Sequence, residues 1–130
     1  VTTFLHHALC RQPIVIWGTG EVVRDYIHIS DVSKCLVKLA VGPRQEAFIF
    51  NVGSGVGISL NDVVLELEAR LGRNLSVSRT DTRAFDVPVS VLAIERARNL
   101  LDWAPVLSFS EGMRRTLSDL SHQADFSNLD

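Results

Sequence analysis

The hydrophobic patterning of the chain predicts an α/β fold, and three observations carry that prediction. Amphipathic helical stripes alternate with short β-rich runs in the order α-β-β-α-β-α-β-α-α. The run Phe48-Ile49-Phe50-Asn51-Val52 has almost no polar alternation, as in a strand buried on both faces. Glycine and proline mark the ends of several of these segments, at Pro13, Gly42-Pro43 and Gly72. Elements that each bury one face, taken in this alternation, pack as helices layered on a sheet.

The elements follow in order. Residues 3–11 read as a helix with Phe4, Leu5, Ala8 and Leu9 on one stripe, stopped by Pro13. Ile14 to Trp17 is a short strand and Gly18-Thr19-Gly20 a turn, after which Val22 to Ile29 reads as extended. Ser30 or Asp31 is placed to cap a helix whose stripe is Val32, Cys35, Leu36, Leu39 and Ala40, ended by Gly42-Pro43. After the strand at 48–52 comes Gly53-Ser54-Gly55-Val56-Gly57. Ser59 then caps a helix with Asp62 at its third position, a near capping box, and Gly72 closes it. Leu60, Val63, Val64, Leu67 and Leu71 are its buried face. Leu75 to Arg79 reads as a strand, Thr80 to Pro88 as a polar loop, and Ile94 to Leu101 as a short helix. Ser108 and Glu111 bracket the start of a last helix lined by Phe109, Met113, Leu117 and Leu120, with a frayed tail from Asp125.

At 130 residues the chain has the length of one domain. A net charge of −2 gives no field to gather nucleic acid or anionic lipid, so neither is expected as a partner. No apolar run approaches the ~20 residues of a membrane-spanning helix. Cys10 and Cys35 both fall on apolar helical faces and read as buried free thiols of a reducing compartment, the cytoplasm. The opening Val1-Thr2-Thr3-Phe4 has neither an initiator Met nor a signal pattern, which reads as a piece of a longer protein or a trimmed terminus.

Polar chemistry concentrates in Arg24-Asp25-Tyr26-Ile27-His28-Ile29-Ser30-Asp31. Arg24 follows a glycine turn, and a second arginine, Arg83, lies in the loop Thr80 to Pro88. A guanidinium gives two parallel N–H bonds and suits a diphosphate. Two solvated surface arginines are the plainer alternative, and composition alone favours it. The glycines at 53, 55 and 57, followed by a helix, a strand and Asp81, mimic a dinucleotide-binding fingerprint. The third glycine comes one position early, however, and the loop is long for a tight strand-to-helix turn. Tyr26 is the only tyrosine, and position 30, where a Tyr-x-x-x-Lys pair needs lysine, is Ser30. Gly-x-Ser-x-Gly is absent. His6 and His7 are adjacent on a helix, diverge, and make no metal site with His28. No catalytic residues and no metal ligands are therefore assigned.

Four segments together resemble the C-terminal part of the extended short-chain dehydrogenase/reductases, the NAD-dependent epimerase/dehydratase enzymes of nucleotide sugars. They are Ile16-Trp17-Gly18-Thr19-Gly20 running into Arg24-Asp25-Tyr26-Ile27-His28 and Asp31-Val32; Phe50 to Ser59; Arg83-Ala84-Phe85-Asp86-Val87-Pro88; and Ala97 to Trp103 with Pro105 and Ser110-Glu111-Gly112-Met113. Their order and spacing match from about residue 3 to residue 120.

The resemblance implies the substrate-binding portion of such an enzyme, lacking most of the Rossmann sheet, with residues of about 30–52 as the last helix and strand of the Rossmann domain. It implies that Arg24 and Arg83 hold a nucleotide diphosphate, Asp86 the ribose, and Trp17 the strand passing the base, with Tyr26 supporting the site. NAD and the Tyr-x-x-x-Lys pair would belong to an N-terminal domain, so the chain alone would be inactive. The implied parent is a homodimeric nucleotide-sugar epimerase or dehydratase, foremost a UDP-hexose 4-epimerase. A non-catalytic module of the same fold and an NADPH-dependent reductase are the alternatives. Phe85 stands where glycine is common, and Glu21-Val22-Val23 where polar residues are usual. The strand at 48–52 and the stripe Val32, Cys35, Leu36 and Leu39 would bury against the absent domain, and the isolated chain would self-associate.

Overall fold

The computed structural model describes residues 1–43, 49–82 and 85–126. They form α1 (Thr2–Leu9), β1 (Ile14–Trp17), β2 (Val23–Asp25), α2 (Ile29–Val41), β3 (Gly57–Ser59), α3 (Leu60–Leu71), β4 (Val77–Thr80), β5 (Val89–Ser90), α4 (Glu95–Leu101) and α5 (Phe109–Phe126). Among the described residues no helix is long and apolar enough to cross a membrane. The chain divides into two compact units, one of Val1–Val22, Ser59–Pro88 and Met113–Asp130, the other of Val23–Ile58 and Val89–Gly112.

In the first unit β1 and β4 pair in parallel, Ile14 opposite Val77 and Trp17 opposite Thr80. Alternation along β1 turns Ile14 and Ile16 inward, where they are buried, and leaves Val15 and Trp17 exposed. Leu5 and Ala8 of α1 and Val63, Val64 and Leu67 of α3 complete the core, spaced as the sequence stripes require. The capping box of α3 forms in full. Ser59 Oγ accepts from the Asp62 N–H at 3.0 Å, and the Asp62 carboxylate accepts from the Ser59 N–H at 3.1 Å.

In the second unit the strand order is β3-β2-β5, with β2 and β5 parallel, Val23 opposite Val89 and Arg24 opposite Ser90. Cys35, Ala97, Leu101 and Trp103 form the core, and Ile27, Leu39, Phe50 and Val52 pack against it.

Several expectations change here. The stretch Val22 to Ile29 is a strand only over Val23–Asp25, because its β5 neighbour is two residues long and α2 starts at Ile29. The helix is capped by His28, whose ring nitrogen accepts the Ser30 N–H at 3.2 Å, rather than by Ser30 or Asp31. Phe48 lies outside the described residues, and 49–52 form no ladder. Phe50 and Val52 do turn inward, but no strand among the described residues pairs with them. The segment is instead tied by Asn51 Nδ2 donating to the Ala93 carbonyl and Arg96 donating to the Ile49 carbonyl. Cys10 is exposed at the end of α1, whereas Cys35 is buried, and both are free thiols.

The α2 stripe also divides. Cys35 and Leu39 face the core of their own unit. Ile29, Leu36, Val37 and Val41, 68%, 59%, 60% and 80% exposed, lie round the other side, and Ile49 is 74% exposed. An apolar helix face of this kind favours association in water. The chain on its own is therefore expected to form dimers or larger species in light scattering, and Leu36→Glu with Val37→Lys to reduce them. A compact monomer over a wide concentration range would contradict this.

Candidate functional site

The polar cluster starts on β2. The Arg24 guanidinium is half-buried and donates from Nη1 to the Val23 carbonyl at 2.8 Å, which folds the side chain back along its own strand. Tyr26 is half-buried, its ring 5.8 Å from that of Phe109 between centroids. Burial pushes the Tyr26 hydroxyl above its ordinary pKa, and the nearby Arg24 charge partly offsets this. Arg24 and Tyr26 are thus brought together in the second unit. Trp17, 44% exposed on the outer face of β1, and the half-buried Asp86 stand in the first unit. Arg83 lies outside the described residues.

Two carboxylates in the same stretch do something that the sequence left unassigned. Asp25 Oδ1 accepts from the Ser54 N–H at 2.7 Å and the Ser54 hydroxyl at 2.6 Å. Its Oδ2 accepts from the Gly55 N–H at 2.9 Å and the Leu92 N–H at 3.2 Å. Asp31, 1% exposed, accepts on Oδ2 from the N–H groups of Val106 and Leu107 at 2.9 and 2.8 Å, and on Oδ1 from Lys34 at 3.1 Å. Its main-chain carbonyl takes the Trp103 indole N–H at 3.2 Å. Burial alone would raise both carboxyls, but the bonds they receive outweigh it and hold both below the ordinary aspartate pKa. No spacing rule exposes this role, since the backbone donors lie 29 to 76 residues away in sequence.

The same bonds decide the glycine run. A dinucleotide cradle needs backbone N–H groups open to a pyrophosphate. Here the N–H groups of Ser54 and Gly55 are turned onto Asp25, a carboxylate of the chain itself. A Cβ on Gly53 would come within 2.6 Å of Asp25 Oδ2 and 3.0 Å of Leu92, so the loop closes too tightly there for any side chain. Gly55 has φ +73°, which only glycine adopts freely. Residues 53–57 do not fit NAD.

Residues 1–53 match the profile of the NAD dependent epimerase/dehydratase family. The chain belongs to that family. The UDP-glucuronate 4-epimerase of Thermodesulfobacterium geofontis is 32% identical over 109 residues, 83% of this chain and 33% of the relative. The UDP-glucose 4-epimerase of Azospirillum brasilense is 32% identical over 114 residues, 82% of this chain and 33% of the relative. The chain thus spans about a third of the length of these relatives. The crystal structure of UDP-glucose 4-epimerase with UDP-glucose from Thermotoga maritima superposes with a TM-score of 0.86 at 29% identity, covering 94% of this chain and 39% of that one. The fold is accordingly α/β and is that of the C-terminal, substrate-binding portion of an extended short-chain dehydrogenase/reductase. The polar cluster at 24–31 of this epimerase/dehydratase chain falls within the 53 residues that the family profile matches.

Proposed function

We propose that this chain is the nucleotide-sugar-binding part of an NAD-dependent nucleotide-sugar epimerase or dehydratase, specifically a UDP-hexose 4-epimerase. The observation that carries this reading is the 0.86 TM-score over 94% of the chain to an epimerase crystallised with UDP-glucose. In it, Arg24 and Arg83 grip the diphosphate and Asp86 bonds the ribose. The strand at Trp17 passes the base, and Tyr26 supports the site against Phe109. Residues of about 30–52 are the last helix and strand of the Rossmann domain. NAD is held by the remainder of the parent, which agrees with the poor fit of residues 53–57 to a dinucleotide. The chain by itself performs no catalysis, and the parent works in the cytoplasm as a homodimer.

Calorimetry of the full-length protein should show saturable binding of UDP and UDP-glucose at one site per chain, with ADP much weaker. Absence of UDP binding, or equal affinity for ADP, would remove the UDP-sugar assignment.

A further inference from the structure

Arg24 sits on β2, the middle strand of the β3-β2-β5 sheet. β2 is three residues long, and its pairing with β5 covers two of them, Val23 with Val89 and Arg24 with Ser90. On the β5 side the ladder therefore ends at Arg24 and leaves the next residue of the strand outside it. The next residue supplies what the ladder lacks. The Asp25 carboxylate takes four donors from two separate segments, Ser54 N–H, Ser54 Oγ–H and Gly55 N–H on one side and Leu92 N–H on the other, at 2.6 to 3.2 Å. The bond to Leu92 extends the grip two residues past the last β2–β5 pair. The loop is shaped around the carboxylate, because a Cβ at Gly53 would strike Oδ2.

Consecutive residues of a strand project to opposite faces. A strand whose Asp25 is tied on one face therefore has the Cα–Cβ direction of Arg24 set towards the other. We propose that Asp25 is a positioning residue for substrate binding, fixing the β2 backbone from which Arg24 reaches the anionic group of the ligand by clamping β2 to the 53–55 loop and to Leu92. This rests on the reading of Arg24 as a diphosphate contact given above. Asp25 touches no ligand in this arrangement; its effect passes through Arg24.

The test is a double-mutant cycle in the full-length protein, with UDP as the probe. Asp25→Asn keeps the size of the side chain but presents an amide NH2 to two of the four donors. It should weaken UDP binding roughly tenfold, and Ser54→Ala, which removes the hydroxyl donor to Asp25 together with its bonds to Val56, about threefold. In an Arg24→Ala background, Asp25→Asn should add almost nothing, since contacts that act through one another are not additive. An equal tenfold loss in that background would mean that Asp25 matters only to the fold in general, and would overturn the proposal. Hydrogen exchange separates this from failure of the nucleotide reading. If the wild type does not bind UDP, the nucleotide reading fails. Faster exchange at Ser54, Gly55 and Leu92 in Asp25→Asn would still support the clamp, and unchanged exchange there would overturn it.

Discussion

Replacing Asp31 by alanine should destabilise the chain by about 2–4 kcal/mol, because it takes a buried carboxylate acceptor from two backbone N–H groups at roughly 1–3 kcal/mol each. Those groups belong to Val106 and Leu107, which the carboxylate holds against the start of α2. The Trp103 bond survives the substitution, since its acceptor is the Asp31 main-chain carbonyl. Lys34→Ala should cost under about 1 kcal/mol, because Lys34 is largely exposed and its ion pair is screened. Urea unfolding measures both, and equal losses for the two variants would refute the assignment of the stability to the backbone bonds. The same geometry fixes the direction of the pH response. The folded-state pKa of Asp31 lies below its unfolded value, as does that of Asp25. The stability they contribute is therefore fully present above the unfolded aspartate pKa of about 3.9 and is lost as pH falls through the folded value. The urea midpoint should drop steeply below about pH 4. The drop should be shallower in Asp31→Asn, which already lacks the charge at pH 7.

Arg24→Ala should weaken UDP binding by about 10- to 100-fold in the full-length protein while leaving uridine, which carries no phosphate, within about twofold. A hydrogen bond to a charged group contributes roughly 1.5–3 kcal/mol, and 1.4 kcal/mol is a factor of ten. Arg24→Lys should recover only part of the loss. Lysine restores the charge but not the planar fork that meets two phosphate oxygens at once. Arg83→Ala should behave in the same way as Arg24→Ala, since the two are assigned to one diphosphate. Calorimetry with UDP and uridine decides the matter. Parallel losses for both ligands would point to a general disturbance of the fold, and unchanged UDP affinity in either variant would exclude that arginine from the diphosphate contact.

Much of the local structure was legible before the fold was seen, and for a physical reason. Helical stripes and caps are written within a few residues. Ser59 with Asp62 announces the start of α3, Gly72 its end, and Leu5 with Ala8 the inner face of α1. The strands β1 and β4 were legible as β-rich runs, but β3 and β5 were not, because strands of two or three residues carry no periodicity. The segment at 48–52 shows the opposite failure. Its apolar residues predict burial, and Phe50 and Val52 are indeed packed, yet apolarity cannot supply the neighbour that makes a strand. His28 in place of Ser30 as the cap of α2 was missed because the usual capping preferences rank histidine low.

The candidate site divides along the same line. By itself the sequence determined that polar chemistry collects at 24–31, that the tyrosine there lacks a lysine partner, and that the glycines at 53–57 have the wrong spacing for a dinucleotide. All of these are properties of residue type and separation along the chain. Only the tertiary structure decided what the two aspartates do. Asp25 reads as one more polar residue, and Asp31 as a helix cap, until donors from residues 54, 55, 92, 106 and 107 are brought onto them. A carboxylate can accept from any N–H that the fold delivers, so its partner is chosen by long-range packing and leaves no trace in local sequence.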